Sequence, residues 1–298
     1  WRSDIDGLLS TEATFTTNQL SAGKHTITFQ AKYNGSTSYT SAVSPEVDSN
    51  TIHMWRLDEG SGSSTSDTGS YGWSGSLNNG PSWVTGRFGS ALEFDGDDTY
   101  VRSQSTTSTN NGEVTIEAWI SPTKLSGFQY IVGKGRTGRS GFPVENHNYA
   151  LRLTATGNLT FLFRSRTKTG EEQYHRWTST ESIISGDGWH HIAVTYTFGK
   201  TKNIHGFIDG QRAYGKWDLG GDTGAPPVVD NDQLWIGSAL SGNPNSTFQG
   251  AIDEVAIYRY RLTAAQIATR YSYQEQAPKF NVQQIPENEV LVQIFEGV

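Results

Sequence analysis

From Thr51 to about Tyr273 the chain keeps one rhythm, in which short apolar runs alternate with clusters of Gly, Asn and Asp. The runs are Ile52 to Leu57, Ala91 to Phe94, Val114 to Ile120, Tyr130 to Gly133, and Tyr149 to Leu153. They continue with Leu159 to Arg164, Trp189 to Tyr196, Gly206 to Ile208, Gln233 to Ile236 and Ala251 to Tyr258. Each has strand length, and no helical period separates them, so the pattern predicts an all-β sandwich. One helix is expected, from Thr263 to Tyr271. Thr263 and Gln266 have capping-box spacing, and Leu262, Ile267 and Tyr271 supply an apolar anchor.

The ends carry the same period of two. His25, Ile27, Phe29 and Ala31 alternate with Thr26, Thr28, Gln30 and Lys32, the signature of a half-buried strand. Trp1 opens directly into a further extended stretch. Beyond the polar Gln274-Glu-Gln-Ala-Pro278 linker, two strands are expected around Phe280, Val282 and around Val290, Val292, Ile294. An apolar run as strong as Val290 to Phe295 is an aggregation hazard if its edge is left bare. Three parts are therefore expected: 1–49, 50–274 and 275–298.

Composition narrows the function classes. Lys and Arg number 23 against 30 Asp and Glu, a net charge of −7, and no basic stripe is present to neutralise phosphates, so nucleic acid is not an expected partner. No apolar run approaches the roughly 20 residues that cross a bilayer, so no membrane span is expected in this segment. Cysteine is absent, which removes disulfides, Cys-ligated zinc and thiol catalysis. A cysteine-free β chain rich in Ser, Thr and Gly suits an extracellular, cell-surface protein of a prokaryote. Glycosylation sequons stand at Asn34, Asn158 and Asn245.

Seven motifs in order carry a family resemblance. They are Met54-Trp-Arg-Leu-Asp-Glu-Gly-Ser-Gly62, Ser66-Asp-Thr-Gly-Ser-Tyr-Gly72, Gly86-Arg-Phe-Gly-Ser-Ala-Leu-Glu-Phe-Asp-Gly-Asp-Asp98 and Val114-Thr-Ile-Glu-Ala-Trp-Ile-Ser-Pro122. Gly188-Trp-His-His-Ile-Ala-Val-Thr-Tyr196, Phe207-Ile-Asp-Gly210 and Phe248-Gln-Gly-Ala-Ile-Asp-Glu-Val-Ala-Ile-Tyr258 follow. Together they resemble the LamG-like jelly rolls of the concanavalin A-like lectin/glucanase superfamily. The ends are similar to partial immunoglobulin-like or PKD-like repeats of prokaryotic surface proteins. The implied fold is a jelly-roll sandwich with an incomplete immunoglobulin-like sandwich contributed from both chain ends.

The resemblance implies a structural calcium on Asp253 and Asp67, with Asp58 and Glu59 as further contributors. Hard cations take several oxygen ligands, and the surrounding Gly-rich turns could add carbonyls. The competing reading is that Asp67 caps a turn and Asp253 accepts backbone hydrogen bonds. Asp95-Gly-Asp97-Asp98 reads as a turn between strands. His190 and His191 are adjacent on an expected strand, so they point to opposite faces and cannot chelate one ion. The alternating acidic strand that retaining glucanases of this fold use is absent, and enzyme activity is not expected.

Two functions remain. In the first, copies of the chain join head-to-tail in a surface fibre or array, in adhesion or assembly. One copy's Phe280, Val282, Val290, Val292 and Ile294 would then complete another's Trp1, Ile27 and Phe29 sheet. The same geometry also suits adjoining repeats of a longer chain. In the second, the jelly roll is a lectin-like carbohydrate-binding module on immunoglobulin-like spacers. Its glycan contacts would be Trp177, Trp217, Tyr174 and Arg136, with the competing reading that such aromatics pack against strand edges.

Overall fold

The computed structural model describes residues 2–3, 7–8, 26–33, 36–43, 50–105, 112–136, 146–200, 203–221, 223, 225, 227–228, 233–239, 246–275, 281–284 and 290–293. Among these, two antiparallel sheets form the sandwich. The nine-stranded sheet runs Gly215–Leu219, Glu172–Ser182, Asn158–Arg166, Asn146–Leu153, Gln129–Arg136, Gln233–Ile236, Tyr100–Ser105, Gly75–Asn78, Ser64–Thr65. The eight-stranded sheet runs Gln211–Ala213, His205–Ile208, His190–Thr197, Glu113–Pro122, Gln249–Tyr258, Ser90–Asp95, Ser82–Thr85, and Thr51–Trp55 also pairs with Gln249–Tyr258.

All ten expected runs are strands, and the all-β jelly roll stands. Side chains from both sheets meet in the main core, including Trp55, Phe94, Ile116, Phe161, Phe163, Tyr196 and Ile257. Glu113–Pro122 is buried on both faces because a second layer covers its outer side. That layer is the helix Ala264–Glu275, whose Ile267, with Leu262, packs on Met54, Phe207 and Tyr258. The capping box forms as expected: Gln266 N donates to Thr263 Oγ1 (3.2 Å), and Thr263 N donates to Gln266 Oε1 (2.9 Å). No helix among the described residues is long and apolar enough to cross a membrane.

Glu172–Ser182 was not expected as a strand. Its core-facing positions are His175, Trp177 and Ser179, two of them polar, so the apolar alternation that marks a strand in sequence is missing.

At the ends, Arg2–Ser3, Gly7–Leu8, Thr26–Tyr33 and Ser36–Val43 form a further four-stranded sheet. There Ile27 lies opposite Ala42 and Phe29 opposite Thr40. Asn281–Gln284 pairs with Val290–Gln293, placing Val282 opposite Val292. Trp1, Asn34, Asn245, Phe280 and Ile294 lie outside the described residues.

Candidate ligand-binding cleft

Asp209 and Gly210, both at positive φ (51° and 71°), reverse the chain from His205–Ile208 into Gln211–Ala213. Gln211–Ala213 is the outer edge of the eight-stranded sheet. One residue later, Gly215–Leu219 begins the outer edge of the nine-stranded sheet. Tyr214 is the crossing point between the two edges, and it is 66 % exposed.

Trp177 lies directly opposite Trp217 across the Glu172–Ser182 and Gly215–Leu219 pair. Trp177 is 3 % exposed and closes the sandwich edge. A Cβ at Gly206 or Gly215 would strike its indole, so both glycines are needed for the ring to sit there. Trp217 is half-buried and meets Tyr196 edge-on at 5.8 Å between centroids. Above these rings opens a cleft of about 360 Å³, lined by Trp177, Trp217, Tyr214, Arg212, Ile204, Ala213 and Gly215. That volume lies at the small end of ligand sites.

Arg212 is the one charged residue that lines the cleft. The Arg212 guanidinium stands 5.7 Å from the Tyr214 ring centroid, and among the described residues no carboxylate pairs with it. On the neighbouring strand, burial and then the charges of Arg212 and Arg261 hold the His205 imidazole down to about 4. Arg261 Nη2 approaches His205 Nδ1 at 3.4 Å. The arrangement supplies aromatic faces for the apolar side of a sugar ring.

The four expected glycan contacts do not share one place. Trp177 and Trp217 meet at the cleft. Tyr174 is three residues from Trp177 on the same strand, an odd spacing that sends it to the opposite face, beside Arg164. Arg136 ends the Gln129–Arg136 strand opposite Asn146, and its side chain lies outside the described residues. Tyr214 and Arg212 were not anticipated. The signal available was the Asp209-Gly210 turn signature followed by two short polar strands, which places Tyr214 at a sheet edge. Asn158 Nδ2, the atom a glycan would occupy, donates to the carbonyls of Ser179 (3.1 Å), Thr180 (3.4 Å) and Glu181 (3.3 Å).

The expected calcium ligands divide in the same way. Both Asp67 oxygens are engaged: Oδ1 accepts from Met54 N and Gly69 N, each at 2.8 Å, while Oδ2 meets His53 Nδ1 (2.7 Å) and Trp73 N (3.0 Å). Asp67 thus ties the turn to the first jelly-roll strand. Glu59 Oε1 accepts from Ser66 N at 2.7 Å. Asp58 and Asp253 instead converge on the turn at 86–90, where Asp58 Oδ1 accepts from Ser90 N and Asp253 Oδ2 from Phe88 N, both at 3.0 Å. Asp253 and Glu254 sit where the edge of Gln249–Tyr258 changes partner from Ser90–Asp95 to Thr51–Trp55, with Glu254 at φ 49°.

Burial, and then the neighbouring Glu254 charge, raises Asp253 well above the usual carboxylate range, and Asp58 adds to that effect. Asp58 is raised as well, chiefly by burial, and burial pushes Glu254 up to about 7 against the pull of Arg56. Hard oxygen donors in mutual repulsion suit a calcium ion in kind. Still, no three His, Asp or Glu side chains among the described residues converge as a cage.

His190 and His191 do face opposite ways. His190 Nδ1 pairs with Asp209 Oδ2 at 2.8 Å, whereas His191 is buried with its Nε2 3.5 Å from Glu117 Oε2. Asp95 Oδ1 accepts from the backbone of Asp97, Asp98 and Thr99, closing the expected turn.

A family model described as the concanavalin A-like lectin/glucanases superfamily matches residues 95–268. No curated protein sequence matches the chain. Among solved structures, the binding domain of Paraclostridial Mosquitocidal Protein 1 superposes with TM-score 0.56 at 17 % identity, covering 80 % of this chain and 54 % of that one. The botulinum neurotoxin serotype G binding domain gives 0.54 at 12 %, covering 78 % and 53 %. Trypanosoma rangeli sialidase gives 0.54 at 16 %, covering 82 % and 35 %. The chain thus spans about half the length of the toxin domains and about a third of the sialidase. At these identities the likeness is one of fold.

Proposed function

The chain belongs to the concanavalin A-like lectin/glucanase superfamily, and on that premise we propose that it is a non-catalytic, extracellular carbohydrate-binding module. Its sugar site is the cleft at the open edge of the sandwich. The observation that carries this reading is the edge cleft that Trp177, the half-buried Trp217 and the 66 % exposed Tyr214 line together. Exposed aromatic surface beside half-buried aromatic surface matches what the apolar face of a sugar ring offers. The two named toxin structures are themselves binding domains. A glycan screen on the intact chain, repeated with Tyr214→Ala, tests the proposal: sugars retained by the wild type and lost by the variant support it. A wild type that retains none at high protein concentration contradicts it.

Calcium enters this proposal as a structural tie. Asp58 and Asp253 would hold it, since a divalent cation relieves their mutual repulsion at the 86–90 turn; Asp67, with all its oxygens engaged, would not.

A second reading, assembly by strand addition between copies, is favoured by one observation. Asn281–Gln284 and Val290–Gln293 pair only with each other among the described residues, and Ser36–Val43 is the outer strand of its sheet. Such edges accept further strands. Light scattering after size exclusion tests it: concentration-dependent polymers abolished by deleting Phe280 to Val298 support it, and a monomer at all concentrations contradicts it.

A further inference from the structure

We infer that the cleft receives the terminal residue of a neutral glycan chain, stacked on Trp217 and Tyr214 and hydrogen-bonded by the backbone of the edge strand that borders it. The inference rests on the carbohydrate-binding reading above and specifies which part of a glycan, and of what charge, the site takes.

Strand register sets the charge of the cleft. Arg212 lies opposite Phe207, and Phe207 packs with Met54, Tyr258, Leu262 and Ile267 in the cluster beneath the helix. Cross-strand partners share a face, so the Arg212 side chain leaves on that helix-covered side. Ala213 and its partner Gly206 face the other way, where a Cβ on Gly206 would strike the Trp177 indole. Among the described residues the interior is then left to Trp177, Trp217, Tyr214, Ile204, Ala213 and Gly215, none of them charged. A carboxylate or sulfate brought there would lose water without gaining an ionic partner, which is costly. A neutral sugar loses less and covers the rings with its C–H face.

Topology sets which part of the glycan fits. Gln211–Ala213 and Gly215–Leu219 belong to different sheets and are joined by Tyr214 alone. Both run away from that residue, so the chain itself closes one end of the cleft. The closed end is pinned: the Tyr214 carbonyl accepts from Thr180 N at 2.7 Å and from Thr180 Oγ1 at 3.2 Å. An interior residue of a glycan continues in both directions and needs a groove open at both ends. A terminal residue continues in one, and a cleft of about 360 Å³ has room for little more. The same Thr180 bond fixes the ladder. With Lys216 opposite Thr178 and Trp217 opposite Trp177, the antiparallel alternation turns the N–H and C=O of Gly215 and Trp217 away from Glu172–Ser182. No further strand pairs with Gly215–Leu219 among the described residues, so these groups stand at the mouth of the cleft for sugar hydroxyls.

Isothermal titration of the intact chain tests this with linear galacto-, manno-, xylo- and gluco-oligosaccharides, each as disaccharide, hexasaccharide and polymer, and with a hexameric oligogalacturonide. At least one neutral series is expected to bind in a Tyr214-dependent way. Within it, disaccharide and hexasaccharide should agree within about threefold in affinity, and the polymer should bind one protein per chain. Raising NaCl from about 0.1 M to about 1 M should leave these affinities within about twofold, since no ion pair is there to screen. Affinity that climbs about tenfold or more from disaccharide to hexasaccharide, with several proteins per polymer chain, overturns the terminal-residue assignment and leaves the carbohydrate reading standing. An oligogalacturonide that outbinds every neutral hexasaccharide and is released by salt overturns the neutral assignment. If no sugar binds, or if Tyr214→Ala binds as well as the wild type, the underlying reading fails with it.

Discussion

Trp177 and Trp217 lie opposite each other on adjacent strands, yet one is 3 % exposed and the other half-buried. The pair therefore divides two tasks. Trp177 seals the edge of the sandwich over Gly206 and Gly215, and Trp217 presents part of its surface to the cleft.

That division predicts different outcomes for the cleft aromatics. Trp177→Ala removes a core ring and is expected to cost about 3–5 kcal/mol of folding stability. Tyr214→Ala, at a 66 % exposed position, is expected to stay within about 0.5 kcal/mol of the wild type. Urea unfolding of both variants checks this; equal losses would mean that Tyr214 is a packing residue and not a ligand contact.

Glycine at the floor carries a prediction of its own. Gly215→Ala places a methyl group against the Trp177 indole and the Thr178 carbonyl. Overpacking of this kind is expected to cost about 1–3 kcal/mol. An alanine variant with unchanged unfolding midpoint would show that the indole is free to move aside.

Under the helix, Glu117 Oε1 accepts hydrogen bonds from Tyr258 OH (2.5 Å) and Arg270 Nη1 (3.3 Å). Burial alone pushes its pKa up, but Arg270, His191 and Tyr258 together hold the carboxyl below its ordinary value of 4.5. A folded-state value lower than the unfolded one contributes stability above the unfolded value and loses it as the pH falls through the folded one. Glu117→Gln should therefore be less stable than the wild type at neutral pH, with the gap closing below about pH 4. Denaturant unfolding of both proteins from pH 7 to pH 3 reads it, and a gap of constant size would contradict the assignment.

Chelation tests the tie between Asp58 and Asp253. Added calcium is expected to raise the thermal midpoint of the wild type by several degrees, and Asp58→Asn to reduce that response sharply. A midpoint indifferent to calcium and chelator would mean that these carboxylates serve the 86–90 turn by their backbone hydrogen bonds alone.

Much of the fold was legible because core strands such as Val114 to Ile120 and Trp189 to Tyr196 announce themselves by apolar content and by motif order. Strands whose inward side chains are polar were not. Glu172–Ser182 turns His175 and Ser179 into the sandwich, where His175 Nε2 meets Ser165 Oγ at 2.8 Å and Nδ1 meets the Gly221 carbonyl at 2.8 Å, bonds no single-sequence pattern reveals. With that strand missing, Trp177 and Tyr174 could be read as neighbours on a loop, although strand parity sends them to opposite faces. The cleft itself depends on the meeting of two sheet edges, which only tertiary packing produces. Asp67 was visible as a carboxylate at a turn, but whether its oxygens point to a cation or to four donors of its own chain depends on the local backbone path.

The central claim is that the edge cleft binds sugar through its exposed aromatic. Titration of one saccharide identified by the glycan screen into wild type and Tyr214→Ala tests it most directly. The account predicts saturable binding by the wild type and at least about a tenfold loss in the variant, with the unfolding midpoint unchanged. Equal affinity in the two proteins would place the sugar elsewhere and contradict the account.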